Sequence, residues 1–229
     1  AVRALPRRVV SRAASDPMRG DPMIELYTWK TSNGRKASIM LEELGLPYNV
    51  HPINIGQDDQ FTPEFVKINP NSKIPAIVDT DGPGGKPYAL FESGAILMYL
   101  AEKTGKLMPQ DTAARYQVIQ WLMFQMGGVG PIFGQVHHFE RAAKEDVPYG
   151  KKRYGTECRR LYAVMNAHLE GKSFFANDEY SIADIAILPW VARYEWQQVD
   201  LNDYPNVKRW FDSLMARPAV QRGMEIPAS

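Results

Sequence analysis

Two short polar segments each lie just before a predicted helix, and their side chains suit the binding of charged groups. The first, Thr31-Ser32-Asn33-Gly34, combines a hydroxyl, a side-chain amide and the unpaired N–H groups of a helix start. The second, Glu92-Ser93, offers a carboxylate and a hydroxyl. Donors at a helix start stabilise an anion, and a carboxylate beside them can bind an ammonium group. Both segments also suit plain helix caps, so residue types alone leave both interpretations open.

Other candidate chemistries have weaker support. The single cysteine, Cys158, excludes an intramolecular disulfide and lies in a polar helical stretch without a motif, so we interpret it as a bystander. His137 and His138 are neighbours, which on a helix point about 100° apart and cannot share a metal ion; we expect core or interface histidines. Gly127-Gly128-Val129-Gly130 lacks the preceding strand of a dinucleotide loop. We therefore expect no metal site and no nucleotide site.

The elements that would position the two polar segments form a small α/β layer of roughly 80 residues. Apolar alternation and turn residues predict the order β-α-β followed by β-β-α. In chain order these are a strand at 24–27, a helix at 36–44 stopped by Gly45, a strand at 48–55, strands at 76–78 and 88–91 joined by a glycine-rich hairpin loop, and a helix from Ser93 to about Lys103.

The second half of the chain is predicted to be all-helical. Helical spacing of aromatic and aliphatic residues covers 115–125, 149–169, 182–196 and 207–216. We expect domains at 23–104 and 112–221, with a join near 105–112. Ser181 and Asp184 have the spacing of a capping box, which predicts a buried helix start with a role in folding rather than in chemistry.

Composition indicates a globular protein of ordinary balance, with 45% hydrophobic and 23% charged residues. Residues 1–22 carry five arginines and two aspartates, which gives this segment a net charge of +3. Since the whole chain has a net charge of +1, the remaining residues carry a net charge of about −2. A nearly neutral body argues against a nucleic-acid partner, and no apolar run suits a membrane span. We interpret 1–22 as a cloning leftover or a disordered tail, with a mitochondrial import segment as the alternative.

Motifs in this order resemble the glutathione transferases. Lys73-Ile74-Pro75-Ala76, Phe91 to Ile96 and Ser181 to Asp184 are similar to the general family. Thr31 to Gly34, Gln60-Phe61, Asn69 to Lys73, Gly127 to Pro131 and Gly134 to Phe139 resemble its bacterial Nu class, which is related to the yeast nitrogen-regulator prion domain. The resemblance covers Met23 to about Arg217. It implies a thioredoxin-like N-terminal domain followed by an all-helical C-terminal domain.

The resemblance also implies a role for particular residues. Thr31 and Asn33 would be catalytic, stabilising the glutathione thiolate by hydrogen bonds and by the helix dipole. Many transferases use a tyrosine or serine here, and Tyr27 and Thr28 are the alternatives in this chain. The implied glutathione-binding residues are Gln60 and Lys73 at the glycyl end, the main chain at Ile74 with a cis Pro75, Glu92 and Ser93 at the γ-glutamyl end, and Arg153 from a partner subunit.

The implied activity is that of a glutathione-dependent disulfide-bond reductase, with secondary peroxidase activity and weak conjugation. Glutathione would be the co-substrate, and a small disulfide, peroxide or electrophile the substrate. The resemblance further implies a homodimer in the cytoplasm. Two alternatives stay open: a conventional glutathione S-transferase acting on an apolar electrophile, and a non-catalytic regulatory binding protein with the same fold.

Overall fold

A four-stranded mixed sheet forms the centre of the N-terminal half. In a computed structural model, which describes residues 23–228, the strand order is β2-β1-β3-β4. β1 pairs with β2 in parallel and with β3 antiparallel, and β3 pairs antiparallel with β4. Alternate residues of β1 are buried, which is the period of two that a half-buried strand requires. The strands are β1 (Ile24–Thr28), β2 (Tyr48–Pro52), β3 (Ala76–Asp79) and β4 (Tyr88–Phe91).

Three helices accompany this sheet: α1 (Ser32–Leu44), α2 (Pro63–Ile68) and α3 (Ser93–Thr104). The predicted α/β layer is confirmed, with three corrections. α1 begins at Ser32 rather than at residue 36, because the Thr31 hydroxyl caps it by accepting from the amide of Gly34 at 3.0 Å. β2 ends at Pro52 rather than at residue 55. α2 was not predicted, since Phe65 is its only buried residue and leaves no apolar period.

The C-terminal half is helical, as predicted, and contains α4 (Thr112–Phe124), α5 (Gly130–His137), α6 (Pro148–His168), α7 (Ile182–Val191), α8 (Pro205–Met215) and α9 (Pro218–Met224). The prediction missed α5 and α9. A π-helical turn at Gln125–Val129 joins α4 to α5, so the glycine-rich stretch is helical rather than a loop. α7 ends at Val191, and Tyr194–Gln197 forms a separate 3₁₀ turn instead of continuing it.

One hydrophobic core runs through both halves and includes Leu26 of β1, Met40 of α1 and Ile185 of α7. α1 packs against α7 and α9 as well as against its own sheet. Gly223 of α9 lies so close that a β-carbon there would come within 2.6 Å of the Ile39 α-carbon. Helix α1, which begins at the first polar segment, is therefore held from both halves of the chain.

The predicted capping box at the start of α7 is confirmed. The Asp184 carboxylate accepts from the Ser181 amide at 3.0 Å, and the Ser181 hydroxyl accepts from the Ala183 amide at 3.3 Å. Within residues 23–228, the helices are all too short or too polar to cross a membrane.

Candidate functional site

A cavity of about 160 Å³ lies where the start of α1, the loop before β3 and the start of α3 meet the turn after α4. Six predicted site residues line it, drawn from the α1 start, the loop before β3 and the α3 start: Asn33, Lys73, Ile74, Pro75, Glu92 and Ser93. Asn69, Asn71 and Met126 complete the lining. The fold thus brings together side chains that are up to 93 residues apart in the sequence, from Asn33 to Met126.

Asn33 lies in the first turn of α1, with its amide held by the helical half. Trp190 of α7 donates its indole N–H to Asn33 Oδ1 at 3.3 Å. An indole nitrogen can only donate, so this contact assigns the oxygen of the amide to Trp190. The Nδ2 amino group of Asn33 is then left as the donor to any group bound in the cavity.

The loop before β3 is organised by Asn69, which is almost fully buried. Its side-chain amide donates to the Lys73 carbonyl at 2.6 Å and accepts from the Asn71 amide at 2.9 Å. The Ile74–Pro75 peptide bond is cis, as the resemblance implied. Ladder pairing of β3 starts only at Ala76, so the main chain of Ile74 precedes the paired part of the strand. It is free to pair with an extended ligand by strand addition.

Glu92 and Ser93 stand at the start of α3, and Glu92 has a positive φ of 71°. A non-glycine residue in that region costs on the order of 1–3 kcal/mol and often marks a functional position. The Glu92 side chain makes no hydrogen bond to the helix start and is exposed at the cavity. This geometry argues against the simple cap interpretation, because the carboxylate that should cap the helix faces the cavity instead.

Lys36 is a fully buried lysine at the start of α1, beside the cavity. Its ammonium donates to Gln125 Oε1 at 2.5 Å, Ser93 Oγ at 3.2 Å and Met126 Sδ at 3.4 Å. Burial lowers the pKa of Lys36 to about 7, and the negative charge of Glu92 partly opposes that shift. The Ser93 hydroxyl accepts from Lys36 and donates to Met126 Sδ at 3.8 Å, a weak acceptor that a ligand carboxylate would replace.

A second cavity, of about 220 Å³, adjoins the first through Asn33 and Met126. It lies between α1, the turn after α4 and α7, and its wall is lined by Asn33, Lys36, Gln125, Met126, Gly130, Pro131 and Trp190. Asn33 therefore faces two neighbouring spaces, one polar and one with a larger apolar share.

Three predicted site residues do not line either cavity. Thr31 is half-buried and caps α1, although its hydroxyl hydrogen remains free to donate. Gln60 is half-buried in a 3₁₀ turn, with a 3.5 Å contact from Nε2 to Asp58. Arg153 is exposed on α6. The alternatives Tyr27 and Thr28 also lie outside both cavities; Tyr27 stacks on His51 with ring centroids 4.5 Å apart.

The sequence analysis missed Lys36, Gln125 and Trp190. For Lys36 a signal existed: Ile39 and Met40 are buried three and four residues later, so helical spacing puts the charge on the buried face. Gln125 and Trp190 reach the site only through the packing of the two halves, which no local pattern shows.

Comparison with known proteins identifies both halves. The model for the glutathione S-transferase N-terminal domain matches residues 32–103, and the model for the C-terminal domain matches residues 140–218. The chain is 48% identical to the disulfide-bond oxidoreductase YfcG of Escherichia coli over 203 residues, which are 88% of this chain and 94% of YfcG.

Solved structures give the same picture. A glutathione transferase from Burkholderia graminis, with two glutathione molecules bound per subunit, is 49% identical with a TM-score of 0.85, covering 94% of this chain and 91% of its own. A glutathione transferase from Pseudomonas putida, with one glutathione disulfide bound per subunit, is 50% identical with a TM-score of 0.87. The match covers 92% of this chain and 94% of the Pseudomonas putida chain.

Proposed function

The chain belongs to the glutathione S-transferase family, and from that premise we propose that it is a glutathione-dependent disulfide-bond reductase. The similarity to YfcG over most of both chains supports the proposal. The observation that carries it is the cavity at Asn33, where an oriented amide donor faces a space lined by ligand-binding groups of both charges.

Glutathione has groups that match this lining. Its cysteinyl backbone would pair with the main chain of Ile74, and Lys73 would hold the glycyl carboxylate. The γ-glutamyl ammonium would bind Glu92, and the γ-glutamyl carboxylate would accept from the Ser93 hydroxyl and the α3 amides. Gln60 and Arg153 remain proposed contributors at the two ends of the ligand.

The chemistry requires a thiolate, which Asn33 Nδ2 and the Thr31 hydroxyl would stabilise together with the positive end of the α1 dipole. The sulfur anion attacks one sulfur of a disulfide RSSR, forms the mixed disulfide GSSR and expels RS⁻, which takes up a proton. A second glutathione thiolate then attacks GSSR, forms GSSG and expels the second RS⁻. Two thiols are oxidised and one disulfide is reduced, so the electrons balance without a protein cysteine.

Cys158 is unsuited to replace the ligand's sulfur. It is fully buried in α6, and burial raises the pKa of its thiol to about 12. Only thiolates are effective nucleophiles, and this cysteine stays protonated at neutral pH.

The second cavity favours one further candidate activity. Met126, Pro131 and Trp190 give it apolar surface next to Asn33, which suits conjugation of glutathione to an apolar electrophile. Peroxidase activity would use the same thiolate. A purely regulatory protein has no need of an oriented donor beside a ligand cavity, so the site supports an enzyme better than a binding module.

A side-by-side assay tests the proposal. Purified protein with glutathione is given bis(2-hydroxyethyl) disulfide or 1-chloro-2,4-dinitrobenzene, and GSSG or conjugate formation is measured for wild type and Cys158→Ala. We expect faster disulfide reduction than conjugation and nearly full activity in the variant. Glutathione at 100 times its dissociation constant should stabilise the fold by about 2.7 kcal/mol. Failure of both glutathione stabilisation and disulfide turnover would refute the proposal.

A further inference from the structure

Three arginines lie beside the candidate site without a carboxylate partner. Among residues 23–228, no Asp or Glu oxygen comes within the 4.0 Å of an ion pair with Arg35, Arg141 or Arg193. Arg35 donates to the Met224 carbonyl at 3.0 Å, and Arg193 donates to the Lys30 carbonyl at 2.7 Å. Carbonyl contacts fix the side chains of Arg35 and Arg193 without an ion pair, and the Glu225 carboxylate acts on Arg35 only from beyond ion-pair distance.

Two of the three arginines make cation–π contacts with the aromatic ring of Trp196. The Arg193 guanidinium lies 4.1 Å from its centroid and that of Arg141 lies 4.3 Å away. Such cation–π contacts fix guanidinium faces and leave their N–H edges for other partners. The Nε of Arg193 is buried and has no hydrogen-bond partner, which is costly for a charged group.

The charges repel one another at this place. Burial, Arg35 and Arg141 together lower the pKa of Arg193 to about 10. His137 adds no charge at neutral pH, because burial and the two neighbouring arginines Arg193 and Arg141 lower its pKa to about 4. An anion bound here would relieve the repulsion, so the cluster has an electrostatic reason to hold one.

Of the three arginines, Arg141 lines an open cavity of about 450 Å³, together with Gly134, His137, His138, Ala142 and Trp196, whereas Arg35 and Arg193 do not line it. This cavity lies next to the second cavity along α5, since Pro131 lines the second cavity and Gly134, three residues later, lines this one. His137 stacks on Trp190 with centroids 5.8 Å apart, and Trp190 binds Asn33. Arg193 also holds the carbonyl of Lys30, next to Thr31. A substrate that occupies the second cavity with its sulfur at Asn33 would therefore lie beside the cavity that Arg141 lines.

We propose that Arg141 and Arg193, held together on the Trp196 ring, form a subsite for a carboxylate of the disulfide substrate, so that the enzyme selects acidic small disulfides over neutral and basic ones. The inference rests on the proposed function and specifies its substrate class. Guanidinium groups present paired N–H donors that match a carboxylate, which gives them an advantage over a diffuse positive surface.

Three small disulfides of similar length test the effect of substrate charge on kcat/KM. They are the anionic 3,3′-dithiodipropionate, the neutral bis(2-hydroxyethyl) disulfide and the cationic cystamine. We expect wild type to show the highest kcat/KM with the anionic one, by about tenfold, and to lose this preference as salt is added. Arg141→Gln should abolish the preference while keeping turnover of the neutral disulfide. Arg141→Glu should favour cystamine.

Arg141 is exposed, so its variants are expected to fold. Arg160→Gln is the matched control: Arg160 is also exposed, lies on α6 and pairs with Glu157. It should keep the wild-type preference. Equal kcat/KM for all three disulfides in wild type, or equal losses for all three in Arg141→Gln, would overturn the inference while leaving the reductase activity standing.

A binding measurement without glutathione gives an independent answer. Isothermal titration should detect 3,3′-dithiodipropionate binding to wild type and to Arg160→Gln, and several-fold weaker binding to Arg141→Gln. Binding that is the same in all three proteins would overturn the subsite even if disulfide reduction itself were absent.

Discussion

At the scale of single residues, the side chain of Asn33 is significant because another residue decides which of its atoms faces the ligand. Without the indole N–H of Trp190, the amide could turn either its oxygen or its nitrogen towards the sulfur. An oxygen beside a thiolate would repel it. Trp190 is therefore a positioning residue for the donor that the sequence identified.

Trp190→Phe should raise the pKa of the bound glutathione thiol, because it removes the donor that orients Asn33. Asn33→Ala should raise it further, by roughly one to two units, since a charge-assisted hydrogen bond is worth about 1.5–3 kcal/mol. In the Asn33→Ala background, Trp190→Phe should add nothing. The measurement is thiolate ultraviolet absorbance against pH in the glutathione complex.

Trp121→Phe is the matched control for this cycle, because Trp121 packs against Phe124 and Phe175 rather than at the site. Additive effects of Trp190→Phe and Asn33→Ala would show that Trp190 acts by another route.

Thr31→Ala should raise the pKa of the bound thiol as well, and should cost about 1 kcal/mol of stability because the helix cap is lost.

Lys36→Met should remove a pH dependence from the stability of the fold. The pKa of Lys36 is about 7 in the folded state, below its usual 10.5, so the folded state binds fewer protons than the unfolded state between these values. The free energy of unfolding of wild type should therefore rise by roughly 3–5 kcal/mol from about pH 7 to pH 10 through this residue.

Urea denaturation of both proteins across that range measures this effect. The stability difference between variant and wild type should be most favourable to the variant near neutral pH and should shrink as pH rises. A difference that stays constant with pH would mean that the lysine is already neutral at the lower end or is not buried as described.

At the scale of elements, the start of α7 shows how a local signal gains strength from packing. Beyond the capping box, Asp184 accepts from the Phe175 amide at 3.2 Å and from the Trp210 indole at 2.8 Å. The sequence predicted the pairing with Ser181, which is three residues away. It could not predict Phe175 or Trp210, which arrive through the tertiary fold.

Asp184→Asn should cost more stability than Ser181→Ala. The asparagine would present an NH₂ group to a ring of donors, and we expect a loss of about 2–4 kcal/mol against about 1 kcal/mol for the lost serine cap. Urea denaturation of both variants measures the difference, and kcat/KM per folded molecule should not change. Equal losses would mean that Asp184 contributes only the cap.

Elements with their own apolar period were predictable, and those without it were not. The strands at the site and the starts of α1 and α3 follow from alternation and cap residues, apart from errors of a few residues at their ends. α2 buries one residue, and the turn before α5 contains two glycines, so neither gives a period. Asn33, Glu92 and Ser93 lie at helix starts that the sequence predicts, whereas Gln60 lies in a 3₁₀ turn and residues 73–75 lie in the loop before β3. Gln125 and Trp190 reach the site only through the packing of the helical half.

At the scale of the whole molecule, the proposed homodimer gives Arg153 a role, because this residue would bind the glutathione of the partner subunit. It is exposed on α6 and does not line the cavities of its own chain, which fits a role in a partner's site. Arg153→Ala should weaken glutathione binding while the dimer persists, since a charge-assisted contact to the γ-glutamyl end is lost. Lys152→Ala, its exposed neighbour, is the matched control.

Analytical ultracentrifugation and glutathione titration of the three proteins test both parts of this expectation. A wild-type protein that is monomeric at micromolar concentration would contradict this expectation.

The domain division at 23–104 and 112–221 remains a prediction, and the proposed tail at 1–22 lies outside the residues that the structure describes.

The close packing of α9 against α1 affects the order in which the protein can fold during translation. Gly223 lies against Ile39, and the Ser38 hydroxyl donates to the Gly223 carbonyl at 2.6 Å, across a separation of 185 residues. On the ribosome, the N-terminal half emerges long before α9 exists. The flank of α1 that α9 covers must therefore stay exposed to water until α9 itself has been translated. The helix that carries Asn33 thus completes this packing only after a segment about 185 residues further along the chain has emerged.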